Sequence, residues 1–410
     1  MRNIKRLLSV IITLSLVLTL GVNVFAKGGK ITNLSAVLNG NKVTVSGVLS
    51  EPEANTVSTS VYAEVLKGEK VLGASTFLID NNGAFSGDID IISSSLNLDT
   101  ELTVRVADYD GGTWYTTTTN KPLAVVGGYT LRLDGYLGLE YYVAMDESLS
   151  GNADTKVTFK MDSVFADLKE QTVNIDPSKI ETVNNTTYYV FLCKVVATEI
   201  PNSINATLTS GETSIQFDAF TVRDYLNRLI EKNSPAADLA KAIRNYGYYA
   251  QIKFGPTDHI YPEDIISPLN GPDYNSPDVG DMPNGVEYTG SSVVFLAGNK
   301  IKHYFKFTGN PDEFSFKVDG KDVEKVSAGN DEYSISTPEL SVGNLNKAIK
   351  IEIYLNGTKI HEFTYSAMNY ARAVTDSRNT SGPMKDLACA FAMYYKEAIA
   401  YNSASNNSGT

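Results

Sequence analysis

Two stretches of this chain are copies of one helix, and this repeat constrains the fold more than any other feature of the sequence. Residues 234–250 read SPAADLAKAIRNYGYYA and residues 382–398 read GPMKDLACAFAMYYKEA. The two align without a gap, so Tyr246 of the first copy corresponds to Tyr394 of the second. Such a repeat predicts two related structural modules in one chain. Duplicated modules serve to stack, extend or bind more often than they form a single catalytic centre.

Apolar residues recur along the first copy with the period of an α-helix, at Leu239, Ala242, Ile243, Tyr246 and Ala250. A stripe of this kind must be buried against the rest of its module. Ser234 is placed to cap this helix, and Pro235 is placed to occupy its first turn. Taken with the segments around the two copies, the pattern predicts four helices, at 222–231, 235–253, 368–376 and 383–401.

Short alternating runs precede each pair of helices and predict antiparallel strands. In the first module, residues 127–255, the runs lie at 129–145, 156–162, 188–196, 205–210 and 213–220. In the second module, residues 288–402, they lie at 292–298, 302–309, 313–323, 332–337, 350–357 and 359–366. Each module is therefore predicted to be an α+β unit, in which antiparallel strands are closed by a C-terminal helical hairpin.

The segment before the modules, residues 28–122, has short alternating runs and no helical period. Its runs lie at 43–50, 60–67, 71–79, 102–109 and 113–119. Turn sequences such as Asn81-Asn82-Gly83 separate them. This spacing predicts an Ig-like β-sandwich. The chain is thus predicted to be multidomain and mainly β, with a sandwich followed by two related α+β modules.

Residues 1–26 have the pattern of a signal peptide. Arg2, Lys5 and Arg6 precede an apolar run from Leu7 to Leu20, and Ala26 ends the segment at a small-residue cleavage site. The apolar run is shorter than a membrane-spanning helix requires. We therefore expect an exported chain with no membrane span after cleavage, secreted into the extracellular space or associated with the cell surface.

Charge and cysteine content narrow the possible partners. The chain has 35 Lys and Arg against 47 Asp and Glu, a net charge of -12, which makes nucleic acid an unfavourable partner. Its two cysteines, Cys193 and Cys389, fall in different modules. We predict that they are buried, unpaired thiols rather than a disulfide bridge.

The sequence lacks the usual motifs of nucleophilic, metal and nucleotide chemistry. The three histidines, His259, His303 and His361, have no metal-ligand spacing, and there is no G-x-S-x-G elbow or phosphate-binding loop. We therefore predict that the chain is not an enzyme. The alternative is a carbohydrate-active enzyme whose catalytic carboxylates have no recognisable motif. Glu140, in an aromatic strand, is the most suggestive acid for that alternative.

Aromatic residues cluster at one turn of the predicted sandwich. Tyr109, Trp114 and Tyr115 flank Asp110-Gly111-Gly112 in a chain with 24 tyrosines and one tryptophan. Aromatic side chains in such a position can stack on sugar rings, which makes these three the predicted binding residues. The competing interpretation is ordinary packing at the edge of a sandwich.

Residues 256–287 are rich in proline and acidic residues and are predicted to be a linker. Asp273, Asp278 and Asp281 are weak candidates for a Ca²⁺ site, because calcium prefers carboxylate oxygens. They lack the D-x-D-x-D-G spacing, so a solvated linker is the simpler interpretation. No other cofactor is predicted. The polar residues 403–410 are predicted to be a disordered tail.

This arrangement resembles a class of Gram-positive secreted and cell-surface proteins, in which bacterial Ig-like domains stand beside paired α+β modules. The resemblance is carried by the motif DYLNRLIEKNSPAADLAKAIRNYGYYAQ at 224–251 and extends over essentially all of the chain after residue 26. It implies a location and an architecture, and no activity.

The predicted function is that of an exported, non-catalytic binding or structural protein, acting in adhesion, surface assembly or glycan recognition. Its partner would be a cell-surface glycan or an extracellular protein. A further alternative is a self-associating or protein-docking scaffold that uses exposed strand edges.

Overall fold

The computed structural model describes residues 29–50, 60–107, 113–133, 137–255, 271–294, 299–378 and 380–407. The predicted signal peptide, residues 1–26, lies outside the described residues. The chain divides into two compact units. Val125 ends the main part of the first unit, which also includes Met145–Leu149 and Ile215–Asp218. The second unit contains the remainder of both modules.

The first unit is an antiparallel β-sandwich, as predicted, and it has seven strands. Its strands are β1 Lys30–Asn39, β2 Lys42–Ser50, β3 Ser60–Lys67, β4 Lys70–Leu78, β5 Ala84–Asp90, β6 Thr103–Ala107 and β7 Trp114–Thr118. One sheet has the order β1-β2-β5 and the other β4-β3-β6-β7. Alternate residues of the strands are buried and form the core, including Val43, Val45, Val61, Val65, Val104 and Val106. The fold is Ig-like, with β4 paired to β3 rather than to the three-stranded sheet.

Module 1 has eight strands followed by a pair of helices. The strands are β8 Ala124–Arg132, β9 Leu137–Met145, β10 Lys156–Lys160, β11 Glu170–Asn174, β12 Ile180–Val183, β13 Thr186–Val195, β14 Asn205–Ser210 and β15 Thr213–Gln216. The helices are two short ones, α1 Glu147–Ser150 and α2 Ala166–Lys169, and the closing pair, α3 Val222–Glu231 and α4 Ala237–Phe254. The strands form two antiparallel sheets, β12-β13-β9-β8 and β11-β10-β14-β15.

Module 2 repeats this plan strand for strand. Its strands are β16 Val286–Val294, β17 Lys300–Phe307, β18 Phe314–Val318, β19 Lys321–Val323, β20 Val326–Gly329, β21 Glu332–Ser336, β22 Ile349–Leu355 and β23 Thr358–Tyr365. The closing helices are α5 Ala367–Asp376 and α6 Gly382–Asn407. The sheet orders are β20-β21-β17-β16 and β19-β18-β22-β23, the same as in module 1. The repeat detected in the helices therefore extends through all eight strands.

The two sheets of each module face one another across an aromatic core. In module 1 the rings of Tyr141 and Phe159, from opposite sheets, have centroids 5.0 Å apart. In module 2 the rings of Phe305 and Phe316 have centroids 4.9 Å apart. Each module is thus a second type of sandwich, with a helical hairpin added at its C-terminal end. The α+β assignment is confirmed.

Local sequence explains where the closing helices begin. The Thr221 hydroxyl accepts a hydrogen bond from the Asp224 backbone N–H at 2.8 Å and caps α3. Ser366 caps α5 and forms a capping box with Asn369. Ser234 does not cap α4 as predicted, because its hydroxyl accepts from the Ala236 N–H before the helix begins at Ala237.

Helices α4 and α6, the two copies of the repeat, pack against each other inside the second unit. The same positions are buried in both: Leu239, Ala240, Ala242, Ile243, Tyr246 and Ala250 in α4, and Leu387, Ala388, Ala390, Phe391, Tyr394 and Ala398 in α6. The alanines allow the two backbones to approach closely. Tyr246 stacks on its own equivalent, Tyr394, with ring centroids 5.5 Å apart and an interplanar angle of 10°. Contact between equivalent residues is the mark of an isologous, pseudo-twofold interface.

Helix α6 extends further than the sequence predicted. Helix α6 continues to Asn407, so residues 403–407 are helical where the sequence predicted a disordered tail. Once a helix is nucleated, each further residue adds a backbone hydrogen bond at small cost.

Cys193 and Cys389 are buried free thiols, as predicted. In the part of the chain that the structure describes, no helix has both the length and the apolar character to cross a membrane.

Candidate ligand-binding surfaces

Trp114, the only tryptophan of the chain, lies on the outer face of the β4-β3-β6-β7 sheet. It begins β7, an edge strand, and is 39% exposed. The alternation of β7 places Thr116 and Thr118 on the same exposed face, so a strip of hydroxyl groups continues from the indole ring. An exposed aromatic ring beside hydroxyl groups is a surface that can bind a ligand with both apolar and polar faces.

Three side chains from the neighbouring strands hold Trp114 in place. The Arg105 guanidinium lies over the indole ring, 4.5 Å from its centroid. The same guanidinium contacts the Glu64 carboxylate at 2.5 Å. The Tyr62 ring meets the indole edge to face, with centroids 6.2 Å apart. We call these four residues, Tyr62, Glu64, Arg105 and Trp114, the Trp114 cluster.

The strand register explains why these residues meet. Glu64 on β3 lies directly opposite Arg105 on β6, so opposite charges form a cross-strand pair. In the neighbouring row, Ala107 lies between Tyr62 and Trp114. The small alanine side chain leaves room for the two aromatic rings to approach each other above the sheet. The cluster is therefore built by β3, which is remote in sequence, together with the consecutive strands β6 and β7.

The electrostatics of the cluster keep Tyr62 protonated. Burial, followed by the hydrogen bond to Glu64 and the charge of that carboxylate, raises the pKa of Tyr62 to about 12. The Tyr62 hydroxyl consequently remains a donor at neutral pH and donates to Glu64 Oε1 at 3.0 Å. With Arg105 on its other oxygen, the Glu64 carboxylate is fixed from two sides.

The other two predicted binding residues do not belong to this surface. Tyr115 follows Trp114 in β7 and therefore points to the opposite face of the sheet. Its hydroxyl donates to the Gly29 carbonyl at 3.4 Å, and its partner in the register is the buried Val106. Tyr109 lies outside the described residues. The structure thus places Trp114 and Tyr115 on different faces, and they do not form one aromatic platform.

A second candidate surface is an open polar cleft in module 2, with a volume of about 480 Å³. One wall is part of the predicted linker, residues 273–276, and the other is formed by Asn346 together with Asn369 and Arg372 of α5. The lining is almost entirely polar. No sequence motif indicated it, because its walls are far apart in the chain and become neighbours only when the linker crosses α5.

The weak calcium candidates are not brought together. Asp273 lines the polar cleft, whereas one oxygen of Asp278 accepts from the Gly280 N–H at 2.9 Å. Across the described ranges, no three His, Cys, Asp or Glu residues form a group that could hold a metal ion. The structure thus offers no calcium site built from Asp273, Asp278 and Asp281. Calcium dependence of binding stays a prediction to be measured.

Two acids that bear on the enzyme alternative, Glu140 and Glu199, are held in structural contacts. Glu140, the most suggestive acid, lies in an ion pair with Arg132 at 3.0 Å. Glu199 is buried, which raises its pKa, and it accepts hydrogen bonds from the Ser163 hydroxyl and the Val164 N–H. Neither lines the polar cleft, so the cleft gives the enzyme alternative no support.

Comparison with known proteins identifies no family for this chain. No family model matches the sequence, and no curated protein matches it. Among solved structures, it is similar to invasin, described as a bacterial integrin-binding protein, at 14% identity and a TM-score of 0.18. That match covers 82% of this chain and 60% of the invasin chain.

Two further similar structures are built from Ig domains. A three-Ig structure of titin is 9% identical over 84% of this chain and 98% of its own, with a TM-score of 0.18. Tandem Ig repeats of Dlar are 7% identical over 47% of this chain and 96% of their own, with a TM-score of 0.17. The Ig-like assignment of the first unit follows from its own strand orders, β1-β2-β5 and β4-β3-β6-β7.

Proposed function

We propose that this chain is an exported, non-catalytic binding protein that recognises a glycan through the Trp114 cluster. The observation that supports this proposal most directly is the exposed indole of Trp114, held by Tyr62, Arg105 and Glu64 on an open sheet face. The modular architecture agrees with a protein that presents binding surfaces. A cell-surface or cell-wall glycan is the proposed partner.

The chemistry of the face matches that of a sugar. The flat indole ring can stack on the C–H groups of a pyranose, while hydroxyl and charged groups bind its hydroxyls. Thr116 and Thr118 lie on the same side of β7 as the ring. Because Arg105 and Tyr62 already hold the indole, little side-chain entropy is lost when a ligand binds.

Binding at this surface can be measured directly, because Trp114 is the only tryptophan. The chain from Lys27 onward is screened against a glycan array and purified cell-wall preparations, with Ca²⁺ and with a chelator. Ligands found in the screen are then titrated while tryptophan emission is recorded. We expect emission to change on binding and Trp114→Ala to weaken binding by about tenfold or more.

The matched control is Leu78→Ala, which removes an exposed apolar side chain from β4, on the same outer face and at the opposite edge of the sheet. It should bind as the wild type does. A Trp114→Ala variant that keeps wild-type affinity for every glycan bound by the chain would overturn the proposal.

The alternative of self-association through strand edges is less well supported. Edge strands β12 and β20 occupy equivalent places in the two modules, and every residue in both strands is exposed. Each strand has only 4 residues, and short edges limit pairing with another chain. The edges on the other side of these sheets, β8 and β16, have 9 residues each. Light scattering over a concentration series separates the two functions: a monomer favours the binding function, and a dimer favours the scaffold function.

A further inference from the structure

We propose that the polar cleft of module 2 is a second binding site, specific for an uncharged saccharide unit. The proposal rests on the function proposed above, because it gives the chain a second site for the same class of ligand, a glycan. It concerns different residues in a different unit of the chain. Its evidence is the way the cleft is held open and the chemistry of the groups that line it.

The linker wall of the cleft is fixed to helix α5 by hydrogen bonds. Arg372 Nη1 donates to the Pro272 carbonyl at 3.1 Å, and Asn369 Nδ2 donates to the Asn275 carbonyl at 2.8 Å. The Ser276 hydroxyl donates to the Asp376 carboxylate at 3.3 Å. These contacts engage the linker backbone and one hydroxyl. They position the linker at three successive points and leave the side chain of Asn275 available to a ligand.

The helix wall is held equally firmly. The side-chain oxygen Oδ1 of Asn369 accepts from the backbone N–H of Ser366 in the capping box at the start of α5. Arg372 Nε donates to Asp376 at 2.7 Å, so the guanidinium is already neutralised by a carboxylate. The side-chain oxygen Oδ1 of Asn346 accepts from the Ser366 hydroxyl at 3.4 Å. Its amide nitrogen has no protein partner among the residues that the structure describes.

The lining excludes several classes of ligand. An apolar molecule would find only one aromatic ring, that of Tyr274. An anion would meet Arg372 in its ion pair with Asp376 and would lie beside the Asp273 carboxylate. A cation would meet the guanidinium and only one carboxylate in the lining. What remains are amide, hydroxyl and phenol groups, which both donate and accept hydrogen bonds. An uncharged ligand with many hydroxyl groups satisfies them best.

Size and aromatic placement agree with a sugar. A volume of about 480 Å³ lies within the range of small-molecule sites. The Tyr274 ring is braced edge to face by Tyr395, with centroids 6.1 Å apart, so it forms a fixed aromatic wall. One ring against which a pyranose can lie, surrounded by amides, is the arrangement that such a ligand needs.

The test uses a tryptophan placed in the cleft. In the chain from Lys27 onward, Trp114→Phe removes the native fluorophore, and Tyr274→Trp then reports on the cleft alone. We expect the emission of this double variant to change on titration with neutral mono- and disaccharides. In this double variant, Asn346→Phe fills the cleft with an aromatic ring without adding a second tryptophan. It should abolish the emission change.

Two smaller substitutions refine the result. Asn346→Ala should weaken binding by about threefold to tenfold, the effect of losing one neutral hydrogen bond. Asn344→Ala is the matched control, because Asn344 is an exposed asparagine two positions away and does not line the cleft. It should leave binding unchanged.

The outcomes separate this proposal from the function proposed for the Trp114 cluster. An emission change that Asn346→Phe does not reduce would overturn the cleft site, whatever the behaviour of Trp114. A cleft that binds only charged compounds, or no saccharide at all, would also overturn it. Conversely, loss of glycan binding in Trp114→Ala with no response in the cleft reporter would leave the Trp114 function intact and refute the second site.

Discussion

Module 1 and module 2 share a strand order, a helix pair and a packing surface, but the corresponding helices meet different neighbours. In α4, Gly247 lies against the 3-10 turn that follows β13; a Cβ there would be 2.9 Å from the Ala197 carbonyl oxygen. The equivalent residue of α6 is Tyr395, which packs against Tyr274 of the linker. The common requirements are therefore the topology and the helix–helix surface. The residues on the remaining face of each helix differ, because that face packs against its own module.

The cores of the two modules also differ in a titratable group. Module 1, residues 127–255, contains no histidine, whereas His303 of module 2 is fully buried on β17. Its Nδ1 lies 2.7 Å from the Ser291 hydroxyl, and its Nε2 has no partner in the described part of the chain. The Tyr365 ring packs against it, with centroids 5.0 Å apart. One topology thus accommodates both a core without histidine and one that holds a neutral imidazole.

The largest expected effect is at the surface that the modules share. Phe391→Ala removes a fully buried ring from the α4–α6 interface and should lower the free energy of unfolding by about 3–5 kcal/mol. Ile243→Val, at the equivalent position of α4, is the matched small change and should cost about 0.5–1.5 kcal/mol. Urea denaturation should show both variants shifting one common transition of the two modules. If Phe391→Ala shifts a transition of module 2 alone, the modules do not stabilise one another.

A smaller effect is expected on the side where the helices differ. Gly247→Ala places a Cβ 2.5 Å from Ile200 Cδ1 and 2.9 Å from a backbone oxygen that cannot move away easily. It should destabilise the protein by about 1–3 kcal/mol. Tyr395→Ala, the same helix position in module 2, should cost only about 0.5–1.5 kcal/mol through the lost ring contact. Thermal denaturation of both variants tests the contrast, and equal losses would contradict it.

A further expected effect is a dependence of stability on pH that originates in His303 of module 2. Burial lowers the pKa of His303 to about 3. Below the unfolded-state pKa of about 6.5 the unfolded chain takes up a proton that the folded chain does not. Stability should therefore fall by about 1.4 kcal/mol per pH unit between about pH 6.5 and pH 3 from this residue alone.

The contribution of His303 is isolated by comparing wild type with His303→Phe in urea denaturations at pH 7, 6 and 5. Carboxylates affect both proteins alike, so the difference between them reports the imidazole. We expect the wild type to lose stability relative to the variant as the pH falls. A constant difference across this range would show that the histidine becomes protonated in the folded protein.

Periodicity in the sequence predicted the elements well where one residue pattern determines one element. The four closing helices follow from their apolar stripes, and most of the sandwich strands follow from their alternation. Strand β1 was not among the predicted runs, and a β-bulge between Thr32 and Ser35 interrupts its alternation. The run 129–145 was predicted as a single strand but forms β8 and β9. The sequence Asp134-Gly135 between them is a hairpin signal that could have divided the run. Strands β11, β12 and β20 were missed because they have only 4 or 5 residues each and are largely exposed, which leaves too short an alternation to recognise.

What could not be predicted is which strands lie side by side. Pairings such as β10 with β14 and β9 with β13 join residues that are far apart in the chain and leave no local pattern. The same limit applies to the binding surfaces. Trp114 was singled out by composition, but Tyr62, Glu64 and Arg105 become its neighbours only once the register of three strands is known. Tyr115 was grouped with Trp114 because it follows it in the sequence. Consecutive residues of a strand point to opposite faces of the sheet, so the two side chains do not meet.

The stacking of Tyr246 on Tyr394 affects which amino-acid substitutions this protein can accept during evolution. In a symmetric homodimer, every substitution at the twofold axis occurs on both sides at once, so a larger residue meets its own enlarged copy. Here the two sides belong to one polypeptide and vary separately. The isoleucine at 243 and the phenylalanine at 391 occupy matching positions with unequal volumes. A tethered pair can thus compensate a gain in bulk on one helix by a reduction on the other, a route that is closed to identical subunits.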